Sequence, residues 1–333
     1  MLKRIFSSAL FALVLTACSS PVTVRQSPEP ATVKFELAQA RYGHAMATDG
    51  RSIYVFGGSG KKGFLNTIEA LHPGKQAHDI FDQRVATRRY YVAAWDGEHS
   101  IYLTGGLGYK NKRAYLDGTL EVYNTLTGEI TQAAPSPFPT RMGTATFVNG
   151  KLYVFGGEGV NPRNKKLTTT RAVIVYDKAT NSWTPITSMP ISALTYAVTD
   201  GESIYIVGGY DGKKQLSAFY RFNPAKNSWT PMPDLPTPTS AHSAVIWQNY
   251  LLVFGDYNEL DRTLAFDFTT KKWARINLGY QPARHAKAAV VGNDVFVVGG
   301  TTAPAKAQLN KVQHFTANEI HAALSLPQNK SHQ

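Results

Sequence analysis

Short apolar runs, each closed by a glycine pair, recur along the chain. Ile53-Tyr54-Val55-Phe56 precedes Gly57-Gly58, and similar runs precede Gly105-Gly106, Gly156-Gly157, Gly208-Gly209, Gly255-Asp256 and Gly299-Gly300. The steps between first glycines are 48, 51, 52, 47 and 44 residues, a period that marks a repeat architecture. Runs of this length, bounded by turn residues, predict buried strands rather than helices. Asp49-Gly50 and Asn149-Gly150 lie just upstream of two of them, and such dipeptides turn hairpins because they tolerate positive φ. A third strand then ends on an aromatic, as in Val173-Ile174-Val175-Tyr176, and a turn leads from Asp177 to Trp183. The same step joins Asn223 to Trp229 and Asp267 to Trp273. Four short antiparallel strands per repeat make one propeller blade.

The glycine pair and the tryptophan that follows it resemble the kelch repeat, from Arg41 to about Ile320. The resemblance is complete in the third, fourth and fifth copies, whereas the second has Ile130 and the first His78 at the tryptophan position. It implies an all-β fold, a six-bladed kelch-type β-propeller. In the last copy Lys311 to Phe315 is followed by no clear fourth strand, while Val33, Phe35 and Leu37 alternate before the first copy. Residues 32–38 are therefore expected to complete the last blade and close the ring, which leaves only short, protected edges. The propeller should span 32–320, followed by a disordered tail, 321–333.

Ahead of the repeats, Lys3 and Arg4 lead into an apolar run, Ile5 to Leu15, too short to cross a bilayer as a mature helix. Leu15-Thr16-Ala17-Cys18 resembles a bacterial lipobox, so residues 1–17 read as a lipoprotein signal peptide and Cys18 as the lipidated residue. Ser19 in place of Asp favours the outer membrane. Residues 18–31, rich in Ser, Pro and Thr, read as a flexible tether. Cys18 is the chain's one cysteine, so neither a disulfide framework nor a cysteine metal site is available.

The net charge is +12, and Lys3 and Arg4 are the only charges in residues 1–17, so +10 belongs to the remainder. Much of it falls in the loops after the glycine pairs, which hold twelve cations, Lys61, Lys110, Arg163, Lys213, Lys214 and Lys306 among them, against six carboxylates. In kelch propellers these loops share one face with the loops leading into the innermost strands. The lead-in loops carry Arg41, Arg88, Arg89, Arg141 and Arg284, with Tyr42, His44, Tyr90, Tyr91, Tyr196, His242 and His285 close by. Guanidiniums around a channel mouth suit a carboxylate or phosphate, and aromatic faces suit a sugar or peptide. The bland alternative is that the Arg and His bond neighbouring blades and that the lysines merely solvate loops.

Catalytic readings are thinner. A copper-radical oxidase needs a Cys–Tyr crosslink, and the lone cysteine lies in the lipobox. No sialidase-type Asp box, P-loop or metal-spaced histidine pair is present. Similarity to periplasmic N-acetylneuraminate epimerase-type kelch propellers would cast Glu158 with His44 or His242 as acid and base, and Arg163 as a carboxylate clamp. Export argues against nucleic acid as a ligand, despite a pI near 9.6. The expectation is a lipid-anchored binding module, without cofactor or metal, for an acidic glycan, peptide or partner protein. An anionic-sugar epimerase or mutarotase is the alternative.

Overall fold

The computed structural model describes residues 32–82, 84–302 and 307–325. The proposed signal peptide, Cys18 and the whole tether lie outside the described residues, as do Lys306 and residues 326–333.

Among the described residues six four-stranded antiparallel sheets follow one another along the chain. The first comprises Ala45–Thr48, Ile53–Gly60, Gly63–His72 and Ala77–Phe81, running from innermost to outermost strand. The second to fifth begin with inner strands Val92–Trp95, Thr144–Val148, Leu194–Thr199 and Ser243–Trp247. The sixth orders Lys287–Val291, Asp294–Val298 and Lys311–Phe315 from the inside, and its outermost strand is Thr32–Glu36 from the other end of the chain. There Val33 faces Gln313 and Glu36 faces Lys311. Inner strands of successive sheets touch, and that of the sixth touches that of the first.

Six apolar clusters hold the sheets, one in each cleft between neighbours. Phe155 and Phe222 meet between the third and fourth sheets, and Phe219 and Phe266 between the fourth and fifth. Trp183 reaches back to the preceding sheet, its indole N–H donating to the Ala134 carbonyl at 2.7 Å, and Trp273 donates likewise to Pro233. The copies lacking tryptophan keep the register: Ile130 faces Tyr123 and His78 faces Leu71, just as Trp183 faces Tyr176. Backbone pairing therefore builds the outer strand without the indole.

The glycine pair is where the next sheet's lead-in loop presses. The N–H groups of Gly106, Gly157, Gly209 and Gly300 donate to carbonyls of Thr140, Ala193, Thr239 and Arg41. A Cβ on Gly208, at φ +55°, would stand 2.6 Å from the Thr239 carbonyl oxygen, so only glycine fits.

Against the expected tail from His321, a helix spans Ala317–Ser325, so His321 to Ser325 are ordered. Thr316-Ala317-Asn318-Glu319 forms a capping box, with the Glu319 carboxylate accepting from the Thr316 N–H and the Thr316 hydroxyl accepting from the Glu319 N–H. Ile320 and Ala323 bury between the fifth and sixth sheets, and His321 packs edge-on against Trp247.

Candidate functional site

The loops leading into the inner strands surround a cavity of about 630 Å³, within the range of small-molecule sites. Its wall follows the repeat. Register places Ala45, Val92, Thr144, Tyr196, Ser243 and Lys287 at one equivalent position, each opposite the residue before a first glycine. One residue earlier stand His44, Tyr91, Gly143, Thr195, His242 and Ala286. Two earlier are Gly43, Tyr90, Met142, Leu194, Ala241 and His285, and five of these six hold positive φ. Their backbones are stitched together: Tyr90 N–H donates to Gly43 C=O, Met142 N–H to Tyr90 C=O, and His285 N–H to Ala241 C=O. The mouth is thereby fixed by main chain while its side chains remain free to vary.

Of the sequence-derived candidates, His44, Tyr90, Tyr91, Tyr196, His242 and His285 line this cavity. The arginines do not. Arg41 is fully buried, donating to the Gly57 carbonyl and the Thr67 hydroxyl and pairing with Glu69. Arg88 is equally buried, 2.6 Å from Glu121 and 3.4 Å from Asp117. Arg141 closes a two-bond pair with Glu158 at 2.6–2.7 Å. Arg89 donates to the Tyr42 hydroxyl and lies over the rings of Phe64 and Tyr90, while Arg284 lies 4.0 Å over Tyr257 and donates to its carbonyl. Tyr42 is buried behind the lip, its ring 6.0 Å from Tyr90 and 6.5 Å from His285. Arg163 is exposed near the Glu158–Val160 and Leu167–Thr169 hairpin, off the cavity wall. Glu158 is off it too, so it and the histidines are not brought together.

Sequence reasoning passed over Lys287, Tyr210, Gln215, Tyr257 and Asn258, and weighed Lys213 and Lys214 only as loop charge; all line the cavity. A lysine heading the apolar inner strand Lys-Ala-Ala-Val-Val was the legible signal for the first. Lys213, Lys214 and Lys287 are the charged residues of the described lining, which contains no carboxylate. Asp256, the substitute for a second glycine, lies just behind it. Its oxygens accept from Ser240 N–H at 2.9 Å, Gln215 Nε2 at 2.6 Å, and the N–H groups of Asn258 and Glu259, tying the loops that shape this side of the mouth.

Burial sets the electrostatics. His242 is pushed down to about 4 by burial, which outweighs the opposing pull of Asp256. His285 is also pushed to about 4, by burial and then by the nearby Arg284 and Lys287. His44 falls well below the usual imidazole value through burial and then Arg41 and Lys287. Among the described residues neither ring nitrogen of His44 has a hydrogen-bond partner. Burial lowers Lys287 to about 8, and its Nζ sits 4.9 Å from the Tyr196 ring centroid. Three neutral imidazoles and a partly deprotonated amine thus share one aromatic chamber. Among the described residues no group of His, Cys, Asp and Glu is arranged to hold a metal, and no helix is long and apolar enough to cross a membrane.

Repeated four-stranded sheets, each locked to the next at a glycine pair, define a kelch-type β-propeller. The KLHDC2/KLHL20/DRC7 Kelch-repeats domain family matches residues 91–300 and the Kelch motif matches 40–78, and the chain belongs to the kelch-repeat family. It is similar to Kelch-like protein terF of Aspergillus terreus, 31% identical over 64% of this chain and 50% of that protein. Beta-scruin of Limulus polyphemus is 25% identical over 79% of this chain and 31% of its own length. Spermatocyte protein spe-26 of Caenorhabditis elegans is 26% identical over 63% of this chain and 37% of its own. The chain therefore spans about half or less of the length of these relatives. Kelch repeats typically mediate protein–protein interaction.

Proposed function

We propose that this chain is a binding module whose channel-mouth cavity receives an acidic group, a carboxylate or phosphate borne by a glycan, a peptide or a partner protein. The observation that carries the reading is the charge of the described lining: three lysines, no carboxylate, and tyrosine rings around them. The half-buried Lys287 ammonium has no counter-ion among the described residues, which is costly, and an entering anion relieves that cost. Arginine was the expected clamp; lysine takes that role here because Glu69, Glu121 and Glu158 already occupy the guanidiniums. The lipobox-like Leu15-Thr16-Ala17-Cys18 supports an exported, lipid-anchored setting in the outer membrane, where acidic glycans and periplasmic proteins are at hand.

The test is an array of carboxylated, phosphorylated and neutral glycans and peptides probed with the purified chain at low and high salt. Acidic ligands should bind, with signal falling as salt rises, and Lys213→Glu with Lys214→Glu should abolish it. Equal retention of neutral ligands would sink the proposal. For the anionic-sugar epimerase alternative, Glu158 offers little support, since Arg141 holds it away from the cavity wall.

A further inference from the structure

Lys287 is more than another cation at the mouth. It opens the inner strand of the sixth sheet, at the position where the other five carry Ala45, Val92, Thr144, Tyr196 and Ser243. The ammonium reaches past the fifth sheet to lie over Tyr196 of the fourth, and it makes no hydrogen bond or ion pair among the described residues. A lysine whose only task was to hold the fold would have a carboxylate, as Lys151 has Asp177 and Lys178 has Asp96.

We infer that Lys287 is a carbonyl-capturing amine: its Nζ forms an imine with the aldehyde or ketone carbon of a small oxo acid admitted through the channel mouth. The inference rests on the acidic-ligand reading of the same cavity, with Lys213 and Lys214 at the rim as partners for the carboxylate. The amine lone pair attacks the carbonyl carbon and a C–N bond forms. One nitrogen proton passes to the carbonyl oxygen, giving a carbinolamine; the second nitrogen proton follows it to that oxygen as the nitrogen lone pair expels it as water and leaves the C=N bond. Amine and carbonyl give imine and water, with no change of oxidation state and no co-reactant.

Desolvation is the general route by which a lysine becomes nucleophilic near neutral pH. The titratable groups facing Lys287 are His44, His242 and His285, all held neutral, and Tyr196, whose hydroxyl burial keeps protonated, so none restores the ammonium. At pH 7 about a tenth of a lysine titrating near 8 is free amine, roughly a hundredfold or more above an ordinary lysine. Its lower basicity takes back part of that advantage.

The full chain is incubated with glyoxylate and cyanoborohydride at pH 7, and modified peptides are mapped by mass spectrometry. Lys287 should acquire a carboxymethyl group at least about tenfold faster than other lysines. Acetaldehyde, which lacks the acid, should label it more slowly. Malonate, an acid without a carbonyl, should protect it. Lys287→Arg, with an unchanged circular dichroism spectrum, should lose labelling in that peptide. Even labelling of all lysines overturns the inference. Malonate binding is measured separately by calorimetry: binding with even labelling removes the amine chemistry and keeps the acidic-ligand site. Selective labelling by both aldehydes with no malonate binding removes the oxo-acid class.

Discussion

Two sets of cations surround the channel, and they have opposite fates. The lead-in arginines point into the protein: Arg41 and Arg88 are fully buried against Glu69 and Glu121. The lysines Lys213, Lys214 and Lys287 face the cavity, whose described lining holds no carboxylate. The difference comes from one position in the third strand. Glu69 faces Val55 and Glu121 faces Leu103, each two residues before a first glycine. The equivalent positions in the third to sixth sheets are Ile174, Tyr220, Leu264 and Gln313. Arg41 and Arg88 are structural because their own sheets supply an acid at this position, whereas Arg284, whose sheet carries Gln313 there, is held by Tyr257 instead.

The largest effect should come from breaking the first set. Arg41→Ala leaves Glu69 buried without its guanidinium, with His78 as its remaining basic neighbour at 3.0 Å, and should cost about 3–5 kcal/mol of unfolding free energy. Denaturant titration measures it. Arg41→Met with Glu69→Leu removes both charges and should recover most of the loss, because the penalty lies in the stranded carboxylate. If the double variant is no more stable than the single, burial of Glu69 is not the cause.

Acid should come next. His44, His242 and His285 have folded-state values below the unfolded imidazole, so below about pH 6.5 the unfolded chain binds more protons than the folded one. Stability is then complete above that value and falls on acidification toward pH 4, by about 1 kcal/mol per pH unit for each histidine that titrates. His242→Asn should flatten the slope of thermal midpoint against pH in this window. An unchanged slope would mean that His242 is not held neutral.

How much of this was open to sequence reading follows the same division. The glycine pairs, the tryptophan step and the strand expected at 32–38 were visible because backbone geometry and period dictate them; the pairing found is Thr32–Glu36 against Lys311–Phe315. Side-chain direction was not visible. Arg41 and Arg88 looked like channel residues because they adjoin it in sequence, whereas each side chain turns back to a third strand some thirty residues later. The clue was present: the copies with Arg at this position also carry Glu in the third strand. The capping box Thr316 to Glu319 was equally legible, and it marks the helix that replaces the first part of the expected tail.

Lys287→Met should act in the opposite sense to Arg41→Ala. The folded chain releases the Lys287 proton near 8 and the unfolded chain near 10.5, so between these values the wild type gains stability as pH rises, and below 8 it carries the full penalty of a desolvated ammonium. Removing the charge should stabilise the protein at pH 7 by about 1–2 kcal/mol, allowing for the part of the side chain open to the cavity. The advantage should vanish above about pH 10.5. A destabilised variant would mean that the stem's packing against Tyr196 outweighs the charge.

The smallest effect on the fold belongs to the rim. Lys213 and Lys214 are exposed, and their backbone N–H groups, not their side chains, bond the Asp211 carboxylate. Alanine at both should change stability by no more than about 0.5 kcal/mol. Binding of an acidic ligand should nevertheless weaken about two- to tenfold, with a shallower dependence on salt, since screened surface charges act through steering and modest Coulomb attraction. Arg41→Ala lowers stability without touching the cavity wall, so the two variants exchange their effects on stability and binding. That exchange is what separates a buried, paired cation from an available one. If the rim pair proves as costly to the fold as Arg41, or leaves acidic binding unaltered, the lysines are scaffold as well, and Lys287 alone would have to carry the anion.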